Sequence, residues 1–141
     1  MPLDLLFRIA STVVLAGWLA LAFAPLNRPF AVVAARLIAA LLCGGYAVLL
    51  AHGLATGSGL DFTGDFMSLD GVAALLGSRA ALLAGWVHYL AFDLWVGSWE
   101  AEDAPRARVP HALLLACLAL TFIAGPVGLL LYLLIKAARR R

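Results

Sequence analysis

The sequence predicts an all-α integral membrane protein: four transmembrane helices in a compact bundle, with a short interfacial helix between the second and third. Three observations carry that reading. Hydrophobic residues make up 65% of the 141 residues, and the mean hydropathy is +1.01. A soluble chain of this size could not hide so much apolar surface, so hydrocarbon must be the solvent for most of it. Four runs of mainly apolar residues each reach the roughly 20 needed to cross a bilayer core, and the length limits the chain to one domain, 1–141.

The first span is expected over Leu5 to Ala24 and is ended by the turn Pro25-Leu26-Asn27-Arg28-Pro29. Leu21-Ala22-Phe23-Ala24 has the look of a signal-peptidase site, but Pro25 and Asp4 argue for a retained helix. Phe30 to Leu54 supplies the second span. Ala55 to Gly77 is a longer connection whose second half, Ser68 to Leu76, reads as a short helix capped by Ser68. Two turns cannot span, so this helix belongs to the interface. Gly77 and Ser78 act as stop and N-cap before the third span, expected over Ala80 to Ala101. The fourth is expected from Pro110 to Ala138, with Pro110 in its first turn. Gly125-Pro126 should bend it near mid-membrane, because Pro126 removes one backbone hydrogen bond. Cys117, Thr121, Gly125, Gly128 and Tyr132 share a face of mostly small residues suited to close packing.

A net charge of +2 is too small to suggest nucleic acid as a partner. Both cysteines, Cys43 and Cys117, lie inside apolar runs and read as packing residues. If all four spans cross, both termini share a side. That side would hold Arg8, Arg79, Lys136 and Arg139 to Arg141, against Arg28, Arg36, Arg106 and Arg108 opposite. The positive-inside rule then places both termini in the cytoplasm, as in a bacterial inner membrane.

Ionisable groups inside a membrane are costly, so Arg36, His88 and Asp93, with Glu100 at their edge, need explanations. In the third span Trp86, Tyr89, Asp93, Glu100 and Asp103 recur at helical spacing on one face. His88, Phe92, Trp95 and Trp99 recur on another. The first stripe must face protein or a protein-lined cavity. Arg36 and Asp93 sit at similar depths, so an Arg36–Asp93 ion pair is expected, either neutralising two charges or holding Asp93 beside a ligand. Glu100 is expected at the outer surface, and His111 facing back towards Glu100 or Asp103. His88, Asp93, Glu100 and His111 also include the donor types of a metal site, but their spacing matches no ligand motif, and no metal ligand is assigned.

Several strings together resemble one family. They are Ser68-Leu69-Asp70-Gly71-Val72, the run from Gly85-Trp86-Val87-His88-Tyr89 to Leu90-Ala91-Phe92-Asp93-Leu94, Trp99-Glu100, Asp103-Ala104, Pro110-His111, and Leu120-Thr121-Phe122 followed by Gly125-Pro126-Val127-Gly128-Leu129-Leu130. They look like the neoxanthin-synthase-like (abscisic-acid-deficient-four-like) membrane proteins. The resemblance covers nearly the whole chain and is densest from Ser68 to Tyr132. It implies a compact four-helix protein tied to isomerisation of an epoxy-carotenoid, in which an epoxide opens while a proton leaves a polyene carbon. No redox cofactor is needed for that, and none is expected. Such chemistry asks for an acid at oxygen and a base at carbon. Asp93, then His88, then Glu100 are the candidates. Trp86, Tyr89, Phe92, Trp95 and Trp99, with Arg36, would hold a carotenoid or other isoprenoid lipid in the membrane. The alternative readings are a non-enzymatic scaffold or assembly protein, with which a homo-oligomer is compatible, and a metal-binding membrane protein.

Overall fold

The structure is a computed structural model that describes residues 2–57 and 64–139. Residues 58–63 of the expected loop, and the tail residues Arg140 and Arg141, lie outside the described residues. Five helices are described: α1 (Leu3–Ala22), α2 (Arg28–Thr56), α3 (Leu69–Leu75), α4 (Arg79–Asp103) and α5 (His111–Arg139). The four longer ones are long and apolar enough to cross a membrane. The chain is a multi-pass membrane protein.

Local chemistry sets the boundaries. Asn27 caps α2 by accepting from the Phe30 amide at 3.2 Å, with Pro29 in the first turn, and Gly57 closes the helix in the left-handed region. Ser78 caps α4 through the Ala81 amide at 3.1 Å. Ser68 caps α3 through the Gly71 amide at 2.9 Å. In front of α3 the Asp65 carboxylate accepts from the Met67 and Ser68 amides, at 2.7 and 2.8 Å, and these bonds hold its pKa below the usual carboxylate value. Phe66, Met67 and Leu69 are almost fully exposed around this cap. A short capped helix with apolar side chains spread outward suits the membrane interface.

α4 is the centre of the bundle and packs against α1, α2 and α5. It can do so because its buried positions include Ala81, Ala84, Ala91, Gly97 and Ala101, which let neighbouring backbones approach. Leu94 fills the space over Gly17 of α1, and Trp18 of α1 lies over Gly97. In lipid such van der Waals fit, rather than release of water, is what holds helices together.

α5 does not run straight. Ala124 has non-helical backbone angles (φ −147, ψ 51), and there the helix reverses. Arg139 donates to the Arg108 carbonyl at 3.3 Å, just ahead of the start of α5. In a straight helix those two ends would be roughly 40 Å apart. The partners along α4 tell the same story. Thr121 bonds Glu100, Gly125 meets Asp93, and then Tyr132 and Lys136 return to Asp103 at the end where α5 began. Gly128 and Thr121 touch so closely that a Cβ on Gly128 would overlap the Thr121 backbone. α5 is therefore a helical hairpin of two arms, 111–123 and 125–139, each about 20 Å long and shorter than the hydrocarbon core.

This corrects the path expected for the fourth helix. The bend at Gly125-Pro126 occurs, but as a reversal. Its consequence is that the described ends lie apart. Asp4 pairs with Arg79 at one end of the bundle, whereas Arg139 lies beside the α4–α5 loop at the other. The expectation that both termini share a side rests on a straight fourth span, which this path does not provide.

Candidate functional site

The polar residues of the interior collect on the seam where α5 lies on α4. Tyr89, Asp93, Glu100 and Asp103 all face α5, as their shared stripe predicts. From α5 the seam receives Cys117, Thr121, Gly125, Gly128 and Tyr132, all buried. A packing face of small residues is thus also the face that meets the carboxylates. Neither Asp93 nor Glu100 forms a salt bridge among the described residues.

Glu100 is fully buried. Its carboxylate accepts from the Thr121 hydroxyl at 3.1 and 3.2 Å. The expectation of a surface position fails because the loop residues Ala104, Ala107 and Val109 and both arms of α5 close over the end of α4. One turn further on, Asp103 accepts from Tyr132 at 2.8 Å and pairs with Lys136, which also lies over the Trp99 ring at 5.1 Å. Thr121, Tyr132 and Lys136 were not singled out as polar partners from sequence. The signal that would have found them is Gly125-Pro126, read from sequence as a bend where the chain in fact reverses at Ala124.

At the hinge the reversal frees backbone groups. Pro126 has no N–H to give Phe122, and the break strands the Ile123 carbonyl. The Tyr89 hydroxyl lies within hydrogen-bonding distance of both carbonyls, at 3.2 and 3.1 Å. Beside it, the Asp93 carboxylate packs against Gly125 so tightly that a Cβ there would overlap it. Asp93 therefore sits at the N-terminus of the second arm, the positive end of that half-helix dipole. Its Oδ2 atom is buried without a hydrogen-bond partner among the described residues.

Arg36 does not reach Asp93. It pairs with Glu102 at 2.6 Å, bonds Ser98 at 3.3 Å and lies over Trp95 at 5.4 Å. Ser98 and Glu102 are one turn apart on the face of α4 that meets α2, and Asp93 lies about 140° around the helix from Ser98. The long Arg36 side chain rises towards the surface, where its charge costs less, and takes the nearer carboxylate. Glu102 is the partner that depth matching alone overlooked.

The second aromatic stripe is split. His88 stacks on Phe92 at 4.5 Å and meets Tyr46 at 5.6 Å. His88 borders a groove of ≈ 360 Å³ between α2, α3 and α4. Phe92 and Trp95 are exposed, while Trp99 turns to Tyr132. His111 accepts from or donates towards α1, with Nε2 2.9 Å from the Ala22 carbonyl, rather than facing Glu100 or Asp103. Among the described residues no group of three or more His, Cys, Asp or Glu is placed to hold a metal ion.

Because the hairpin stops at the depth of Tyr89, the lower half of the α1–α4 face is left uncovered. Phe7, Trp86 and Tyr89 form an aromatic run there, with ring centroids 5.7 and 5.4 Å apart, and Trp86 donates to Ser11 at 3.0 Å. A groove of ≈ 290 Å³ opens beside them, between Leu3, Phe7, Arg79, Leu82 and Trp86. Tyr89 and the half-buried Asp93 lie about one and two turns further along α4 and do not line it.

A bundle built on a central helix whose buried carboxylates meet a folded-back hairpin, with one carboxylate oxygen, Asp93 Oδ2, left without a partner among the described residues, defines a membrane protein with an intramembrane polar site. The family model for ABA DEFICIENT 4-like proteins matches residues 5–132. The chain belongs to that family. No curated protein and no solved structure matches it.

Proposed function

We propose that the protein binds, and isomerises without a redox cofactor, a carotenoid-like or other isoprenoid lipid, with Asp93 as the group that moves the proton. The observation that carries this reading is the buried Oδ2 of Asp93, unpartnered among the described residues, one turn of α4 beyond Tyr89, where the aromatic run from Phe7 through Trp86 ends. Buried polar groups are ordinarily satisfied, and an ionisable residue at that depth marks a site of function. Family membership supports the same reading.

In this reading the polyene lies along Phe7, Trp86 and Tyr89, and its oxygenated end meets Asp93 and the Tyr89 hydroxyl. Epoxide opening then needs a proton on oxygen as the C–O bond breaks. A base takes a proton from the neighbouring carbon, and the C–H electron pair becomes the new double bond. One proton is given and one taken, so the change is an isomerisation. Asp93 is the carboxyl group within reach of such a ligand. Glu100 lies about 10 Å further along α4 and is a reserve behind Thr121. His88 serves only a ligand in its own groove beside Tyr46. Arg36, Phe92 and Trp95 make the lipid-facing surface on another side of α4, while Trp99 is taken up by Tyr132 and Lys136. The small-residue face on which a scaffold reading rests is occupied within the chain itself.

The hairpin also moves the basic residues. Arg28, Arg36, Arg106, Arg108, Lys136 and Arg139 gather at one end of the bundle, against Arg8 and Arg79 at the other. By the positive-inside rule the α4–α5 loop faces the cytoplasm of a bacterial inner membrane, and the N-terminus lies across it.

Expression in a carotenoid-producing host, with chromatography of its pigments, tests the function. A new isomer, or pigment retained on the purified protein, is expected, and Asp93→Asn should lower conversion by about 100-fold or more. Unchanged pigments with none retained would count against the whole reading.

A further inference from the structure

The return of the second arm of α5 builds a second polar cavity, at the end of the bundle away from the aromatic groove. It measures ≈ 280 Å³ and is lined by Asp103, Arg106, Ala107, Arg108, Lys136 and Arg139. Four cations thus face one carboxylate, and that carboxylate is already engaged by Lys136 and Tyr132. Three guanidinium groups are left in excess around a pocket at the membrane surface.

The backbone here is shaped as well as charged. Arg108 holds a left-handed conformation, φ 55, which disfavours any residue with a Cβ. It is kept there by bonds at both ends: its amide donates to the Pro105 carbonyl at 3.2 Å, and its carbonyl accepts from Arg139 at 3.3 Å. Glycine would take that conformation without strain, so what an arginine adds at this position is its guanidinium. Arg139 in turn ties the second arm of α5 to the loop, so two stretches far apart in the chain, 103–108 and 136–139, meet at the pocket.

We propose that this pocket holds the phosphate group of an anionic lipid. Arginine presents a planar fork of donors that fits phosphate oxygens, and basic pockets between membrane helices at an interface recognise phosphorylated headgroups. The headgroup would come from a phospholipid or from an isoprenoid phosphate. The pocket takes either by the same contacts and stands whether or not Asp93 performs chemistry.

Native mass spectrometry of the full chain, released from a zwitterionic detergent, provides the test. Phosphatidylglycerol, phosphatidylcholine, farnesyl diphosphate and inorganic pyrophosphate are the probes. Retention of phosphatidylglycerol or farnesyl diphosphate at least about tenfold above phosphatidylcholine is expected, lowered about tenfold or more in the double variant Arg106→Gln/Arg139→Gln. Preference for phosphatidylglycerol identifies the phospholipid source, and preference for farnesyl diphosphate the isoprenoid one. Displacement of either by pyrophosphate shows that the phosphate is what is read. Arg108→Gly removes a charge while relieving the backbone, so it should weaken retention without lowering the melting temperature, even if the double variant folds poorly. Equal retention of all lipids, or anionic retention unchanged in Arg108→Gly, would overturn the proposal.

Discussion

Tyr89 is the side chain on which the reversal of α5 depends. A hydrocarbon solvent offers no water to two stranded carbonyls, and one phenol hydroxyl reaches both. Tyr89→Phe leaves them bare and should destabilise the protein by about 1–3 kcal/mol, read from detergent-mixture unfolding. A variant as stable as the parent would mean that the hinge is satisfied in another way. Gly128 has the complementary role of absence. Its missing Cβ is what lets Thr121 and the second arm touch, so Gly128→Ala should cost about 1–3 kcal/mol by overpacking. Neither role is visible in a residue-by-residue reading, where Tyr89 is simply aromatic and Gly128 simply small. Arg36 shows the converse. Depth suggested Asp93, but the angular position of Glu102 on the α2-facing side of α4 decided its partner.

At the scale of elements, the caps were legible because they are local. Ser68 and Ser78 each take the amide three residues on, the commonest arrangement at a helix start, and Asn27, read from sequence only as part of a turn, does the same for α2. The spans follow from apolar length. The hairpin does not, because 29 residues of high hydropathy read the same whether they cross or turn back. A cysteine pair checks the path. In a background lacking Cys43 and Cys117, Arg108→Cys with Arg139→Cys should be joined efficiently by a short bis-maleimide within one chain. A straight crossing helix would hold those positions roughly 40 Å apart, and no intramolecular product would form. The same reversal explains why Trp86 meets α1, while its stripe partners Tyr89, Asp93 and Glu100 meet α5.

For the whole molecule, the reversal changes which charges stand together. Lys136 and Arg139 join Arg106 and Arg108 instead of facing them across the membrane. Reporter fusions to the two ends should therefore report opposite compartments, with the C-terminal fusion in the cytoplasm. Fusions reporting the same compartment would restore a fourth complete crossing and remove both the aromatic groove and the basic pocket.

The sequence by itself determined the class of this protein. Apolar length, capping residues and the Tyr89-Asp93-Glu100 stripe are properties of one segment at a time, so a helix can be read without knowing its neighbours. Only the tertiary structure decided which partner each buried charge takes and where α5 ends. Those outcomes depend on distances between segments far apart in the chain, and on a full reversal at Ala124, which the neighbouring Gly125-Pro126 announces only as a bend.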